Sequence, residues 1–297
     1  MINPHPGLPE LEYVKPTSLV EASKFLAEHE GVSKPFAGGT DSFVRLRDGV
    51  LKLDYLVDVK GLKETQGISF DSKNGLTIGA SVTMNQVATH PEVQKHYPNL
   101  VVAANSVASY QLRNRATIIG NICNASPAGD TIGTCLVLDG VLKVHGTSGM
   151  RDVPLNTFFL GPGRTVLKPG DVVVGIQLPV PPKGLVGTYK KLGRNIIGDL
   201  SIVGVTVAAY PCKETKSGIR FRIALASVAP VPFESFKAEA VLAGAAKITD
   251  EVIAEAANAA MESVTPIDDV RGSAQYRKHM VRNLTREALT EVWKGLS

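Results

Sequence analysis

Two stretches of small residues stand eighty positions apart in the chain. They are Ala37-Gly38-Gly39-Thr40-Asp41-Ser42 and Thr117-Ile118-Ile119-Gly120-Asn121, the second followed by Ser126-Pro127-Ala128-Gly129-Asp130. Glycine lets the main chain approach a ligand, successive N–H groups in a tight turn attract an anion, and Thr or Ser hydroxyls add hydrogen bonds. The chemistry this suggests is backbone capture of a phosphate-rich cofactor from two sides. Taken singly, either stretch serves equally well as a turn between strands.

Other residues extend the same theme. Arg113, Asn114 and Arg115 precede the second stretch, and guanidinium groups donate naturally to phosphates or carboxylates, although a solvated turn or an intersubunit salt bridge explains them as well. Asp41 and Asp130 are placed to accept from hydroxyl or ring N–H groups, or to act as turn or helix caps. Lys190, after Tyr189, either puts positive charge beside an electron-rich cofactor or is a surface lysine. The chain contains no GxGxxG opening, GxxxxGK[ST] loop, GxSxG elbow or HExxH helix, so neither the usual dinucleotide fold nor nucleotide hydrolysis has support.

Composition narrows the class. The 297 residues favour two domains over one, and their formal charge of +4 is too small and too scattered to suggest nucleic acid. Three cysteines, Cys123, Cys135 and Cys212, are too few for a four-thiolate cluster. A buried apolar role is expected for Cys123 and Cys135, and the six histidines form no ligand spacing. No run approaches about 18 apolar residues; the strongest, Ile196 to Tyr210, is broken by Gly198, Asp199, Gly204 and Thr206 and reads as a buried strand with its lead-in. A cytoplasmic protein without a transmembrane segment is expected.

The elements that must position these residues follow from periodicity and capping. After Pro16, Ser18 and Glu21 have capping-box spacing, with Leu19, Ala22, Phe25 and Leu26 as the apolar face, so a helix is predicted that ends near Gly31. A strand is predicted over 53–59. Further strands are predicted at 67–70, 76–80 and 141–144, with Asn74-Gly75 as a turn. Thr83 to Gln86 repeats the capping box, Pro91 restarts the helix, and residues 97–109 form another. Pro179, Pro181 and Pro182 mark a boundary. Beyond it, strands at 200–207 and 220–226 precede helices at 235–243, 249–262 and 273–291, an α+β arrangement.

Taken together, Ala37 to Asp41, Gln111 to Ile122 and Asn124 to Asp130, continuing through Tyr189-Lys190, Ile223 to Pro230 and Gly272 to Arg277, resemble the flavin-binding medium subunit of molybdenum hydroxylases. That family includes carbon monoxide and xanthine dehydrogenases. The resemblance implies an α+β fold: a two-part FAD-binding domain of the vanillyl-alcohol-oxidase type, residues 1–57 and 58–177, followed by a smaller α+β C-terminal domain, residues 178–297. It implies FAD held by Ala37, Gly38, Gly39, Thr40, Asp41 and Ser42 around the pyrophosphate. Thr117, Gly120 and Asn121 belong to a second cofactor loop, with Ser126 and Asp130 in the same site. Lys190 corresponds to a lysine near the flavin ring in some members.

The second loop departs from the family at Ile119, where glycine is common; a β-branched residue disfavours positive φ and so implies a modified fit. The resemblance further implies partners: a molybdenum-binding large subunit carrying molybdopterin, and a 2Fe–2S small subunit carrying the iron–sulfur clusters, assembled as a dimer of heterotrimers. No residue of this chain need act as a conventional acid or base. A flavin-bearing scaffold and a freestanding FAD oxidase are the alternative functions. Absence of a cysteine-rich insertion argues against the branch that reduces hydroxybenzoyl-type thioesters.

Overall fold

The computed structural model describes residues 7–195 and 198–296. Its N-terminal lobe runs β1 (Glu12–Val14), α1 (Leu19–Glu28), β2 (Ser33–Phe36), α2 (Ser42–Arg47) and β3 (Tyr55–Asp58), with the strands forming a parallel sheet in the order β1-β3-β2. Ser18 caps α1 by accepting from the Glu21 amide at 3.2 Å. The reciprocal arm shifts by one residue: the Glu21 carboxylate accepts from the amide and hydroxyl of Thr17, each at 2.7 Å, so the cap forms but not the full box. The predicted apolar face holds, with Leu19, Ala22 and Leu26 packed on Val57, Val59, Val172 and Val174. Burying each leucine contributes about 1.5–3 kcal/mol, and Val172 and Val174 belong to the next lobe, so α1 fastens the two together.

The second lobe contains β4 (Ile68–Asp71), β5 (Gly75–Gly79), α3 (Met84–Thr89), α4 (Pro91–His96), α5 (Pro98–Asn105), α6 (Tyr110–Arg113), α7 (Ile118–Cys123) and α8 (Ile132–Val137). It continues through β6 (Val141–Gly146), β7 (Gly149–Pro154), β8 (Phe159–Gly161), β9 (Arg164–Thr165) and β10 (Val172–Leu178). A five-stranded antiparallel sheet, β4-β5-β10-β6-β7, packs through Leu76, Ile78, Leu142, Val144 and Ile176 against Met84, Tyr97, Leu100, Ile118 and Ile132 of the helices. Thr83 and Gln86 form the complete capping box, and Pro91 starts a new helix. The helix predicted over 97–109 is shorter: it stops at Asn105, and the chain turns through Ala108 at φ 42°.

The C-terminal lobe has β11 (Val186–Leu192), β12 (Val203–Pro211), β13 (Ile219–Ala226), β14 (Phe233–Glu234), α9 (Phe236–Gly244), α10 (Asp250–Glu262) and α11 (Ala274–Leu296). Its antiparallel sheet carries an apolar face, Val203, Val205, Val207, Ile223 and Leu225, under Leu242, Ile253, Val281, Leu289 and Val292. Successive residues of a strand face opposite sides. One face of β12 thus meets the helices while Ala208 joins the core of the second lobe. Ile196 and Ile197, the start of the predicted apolar run, lie outside the described residues. The fold class is α+β, as expected. Among the described residues no helix is long and apolar enough to cross a membrane.

Candidate functional site

The two glycine-bearing stretches line one cavity of about 370 Å³ between the first and second lobes, within the range of about 300–1,000 Å³ usual for ligand pockets. Ala37, Gly38, Gly39, Thr40, Asp41 and Ser42 form one wall, running from the end of β2 into α2. Gly39 holds φ at 74°, and a Cβ there would strike the Phe36 ring and lie 3.1 Å from Phe43. A Cβ on Gly38 would strike the Arg115 carbonyl and lie 3.2 Å from the Ala116 Cα. Among the described residues, no acceptor meets the backbone N–H groups of Gly38, Gly39, Thr40 or Asp41. Successive N–H donors left without a protein acceptor along a cavity wall fit an anionic ligand.

Thr117, Ile119, Gly120 and Asn121 face them from α7. Thr117 is the N-cap, its hydroxyl accepting from the Gly120 amide at 2.8 Å. Ile119 sits in the first turn of that helix at ordinary negative φ, so no left-handed backbone is demanded of it. The expected conflict with positive φ does not arise: the side chain is 4% exposed, packs into the core of the second lobe and supplies an apolar wall to the cavity.

The electrostatics of this cavity are mixed. Arg45, Lys34 and Lys168 line it together with Asp41 and Asp171. Desolvation raises the Asp41 carboxyl, with Arg45 opposing, and desolvation with Arg45 beside it lowers the Lys34 ammonium. Asp171 is buried, but hydrogen bonds from Arg151 (Nη1 to Oδ1, 2.7 Å) and the Lys168 amide (2.6 Å) outweigh that and hold its carboxyl below the usual range. The 163–173 wall was missed in the sequence. Its available signal was Pro169-Gly170 between Lys168 and Asp171, a turn dipeptide that here holds φ 85° at Gly170 and brings the backbone against α1.

Three expected site residues do not line this cavity. Ser126 caps a turn by accepting from the Ala128 amide at 3.2 Å. Asp130 lies behind the wall, where Tyr189 Oη donates to its Oδ1 at 2.7 Å and Lys191 Nζ to its Oδ2 at 2.8 Å. Burial raises its carboxyl, and these two donors offset part of that rise. Lys190 points the other way. It pairs with Glu287 at 2.9 Å and Glu291 at 2.5 Å on α11, because alternation along β11 sends Tyr189 and Lys191 to one face and Lys190 to the other. The lysine that reaches the second lobe is therefore Lys191.

Arg113 is a strut: Nη1 donates to the Val107 carbonyl at 3.0 Å and Nε to Asn85 Oδ1 at 3.3 Å, holding the turn after α5. Cys135 takes the expected buried place in the core, whereas Cys123 is only partly buried because it borders the cavity; desolvation pushes both thiols up to about 12. Among the described residues no group of three His, Cys, Asp or Glu is placed to hold a metal ion.

Residues 9–181 match the family described as the FAD binding domain in molybdopterin dehydrogenase, and residues 187–292 match the CO dehydrogenase flavoprotein C-terminal domain. The xanthine dehydrogenase FAD-binding subunit of Escherichia coli O157:H7 is 31% identical over 281 residues, 94% of each chain. The carbon monoxide dehydrogenase medium chain of Hydrogenophaga pseudoflava is 32% identical over 285 residues, covering 96% of this chain and 98% of the relative. A solved structure of carbon monoxide dehydrogenase from the same organism, lacking the Mo-pyranopterin moiety of the molybdenum cofactor, superposes with a TM-score of 0.92 over 97% of this chain and 99% of that one at 32% identity.

Proposed function

The chain belongs to the FAD-binding medium subunits of the carbon monoxide and xanthine dehydrogenase family, and from that premise we propose that it is the electron relay of a molybdenum hydroxylase complex. The observation that carries this is the cradle of free amides at Gly38–Asp41 facing Thr117, Gly120 and Asn121 across one cavity. FAD, when bound, supplies the redox chemistry, taking two electrons and giving them on to an acceptor.

The chain's own residues bind and orient. The Gly38 to Asp41 amides would donate hydrogen bonds to the pyrophosphate, with the hydroxyls of Thr40 and Ser42 beside them. Asn121 closes the opposite wall, its Oδ1 already held by Thr131. Ile119, Ala80, Met84 and Val107 supply apolar surface that excludes water. Residues 1–57 and 58–177 act as the two halves of the FAD domain, and 178–297 as the C-terminal domain.

In this proposal a molybdenum-binding large subunit oxidises the substrate, and a 2Fe–2S small subunit delivers electrons singly to this one. The three form a dimer of heterotrimers in the cytoplasm. Native purification with subunit identification and a visible spectrum tests the composition, and rapid mixing of the purified complex with its substrate tests the role. Flavin reduction at a rate matching turnover is expected. Reduction much slower than turnover leaves the chain a flavin-bearing scaffold, and substrate turnover by the isolated chain makes it a freestanding oxidase; either result overturns the relay.

A further inference from the structure

Lys191 crosses from the C-terminal sheet into the cofactor lobe. Its ammonium donates to Asp130 Oδ2 at 2.8 Å and to the Ser106 carbonyl at 3.0 Å, while Tyr189, on the same face of β11, donates to Asp130 Oδ1 at 2.7 Å. The Lys191 side chain is 15% exposed and that of Asp130 8%. Gly204, opposite Lys191 in the ladder, leaves room for this cluster: a Cβ there would lie 2.8 Å from the Tyr189 hydroxyl.

Ser106 adjoins the cavity wall directly, and Asp130 reaches it through Thr131. Val107 follows Ser106 and lines the cavity. Thr131 follows Asp130, and its amide and hydroxyl donate to Asn121 Oδ1 at 3.3 and 2.8 Å; Asn121 also lines the cavity. The Ser227 amide donates to the Pro127 carbonyl at 2.7 Å, a further tie between the C-terminal lobe and this wall segment. A buried ion pair is weak evidence for stability, because desolvation consumes most of the attraction; fixing one arrangement is its better-attested use.

We propose that Lys191 is a positioning residue: through Asp130 and Ser106 it braces the wall that carries Asn121 and Val107, coupling FAD binding to the seating of the C-terminal lobe. This rests on the FAD reading given above. Coupling of this kind is reciprocal, so bound FAD must tighten β11 as much as β11 tightens the site for FAD.

The test uses the full chain, stripped of flavin and titrated with FAD while flavin fluorescence is followed, in wild type, Lys191→Met, Lys191→Arg and Lys190→Met. Lys191→Met is expected to weaken FAD binding by about 5–150-fold, Lys191→Arg to restore much of it, and Lys190→Met, on the opposite face, to leave it unchanged. Wild-type affinity in Lys191→Met, or an equal loss in Lys190→Met, overturns the brace. Hydrogen exchange on the wild-type chain keeps the test open should Lys191→Met not fold: FAD is expected to slow exchange of the 186–192 amides, and no change there overturns the coupling. A wild-type chain that takes up no FAD refutes the FAD reading itself, a result distinct from a chain that binds FAD without regard to Lys191.

Discussion

Gly38 lies so close to the backbone carbonyl of Arg115 that a Cβ on Gly38 would come far inside van der Waals contact with the oxygen. This apposition joins the turn after β2 to the segment entering α7, and it makes one cavity out of two loops eighty positions apart. Gly38→Ala must therefore push the loops apart. Overpacking of this kind costs about 1–3 kcal/mol, and the variant is expected to lose stability in urea and to purify with much less FAD than wild type.

Ile119 is a wall of the cavity and a part of the core, not a strained backbone position. Ile119→Ala is expected to cost about 2–5 kcal/mol, and Ile119→Gly about 1 kcal/mol more because glycine weakens a helix. Each variant should still bind FAD, since the donors on the facing wall are untouched. Chemical denaturation and FAD titration measure the two effects separately.

Lys190 holds Glu287 and Glu291 at the partly exposed edge of α11. Exposed pairs contribute about 0.2–1 kcal/mol and weaken with salt. Lys190→Met is expected to lower stability by no more than about that amount, with the difference shrinking at high ionic strength. Thermal unfolding at two salt concentrations measures it, and a loss independent of salt would contradict the assignment.

Glu239 accepts from the Ile223 amide on β13 at 2.8 Å. Burial, reinforced by Glu234, raises its carboxyl to about 7 from an ordinary 4.5. The folded state thus keeps a proton that the unfolded state releases, so this group's contribution is complete below pH 4.5, declines as pH rises and is gone above 7. Glu239→Gln, which preserves the acceptor, is expected to flatten the stability–pH profile across that window in urea titrations. An unchanged slope would show that Glu239 titrates normally.

Burial that pushes the Cys123 and Cys135 thiols up to about 12 leaves almost no thiolate at neutral pH. Native protein treated with iodoacetamide is expected to remain unmodified at both, whereas protein in denaturant is labelled at all three cysteines. Peptide mass spectrometry distinguishes the sites. Rapid native alkylation of Cys123, whose thiol borders the cavity, would show that desolvation does not hold it protonated.

Local rules made a large part of this protein legible. The cap at Ser18, the box at Thr83 and Gln86, the restart at Pro91 and the last three helices depend on neighbours within a few residues, and they stand close to where spacing placed them. Ala37 to Ser42, with Thr117, Gly120 and Asn121, were legible because glycine, small hydroxyls and their order constrain the backbone directly. What only tertiary structure decided are choices between equals. Alternation separates Lys190 from Lys191, but the packing of α11 over one face determines that Lys191 turns to Asp130. Likewise Ile119 became harmless only when its segment closed into a helix, and the 163–173 wall joined the cavity only when β10 packed beneath α1. A chain's local sequence sets which conformations are cheap, whereas the face a side chain presents to a distant partner is set by which surfaces are buried together.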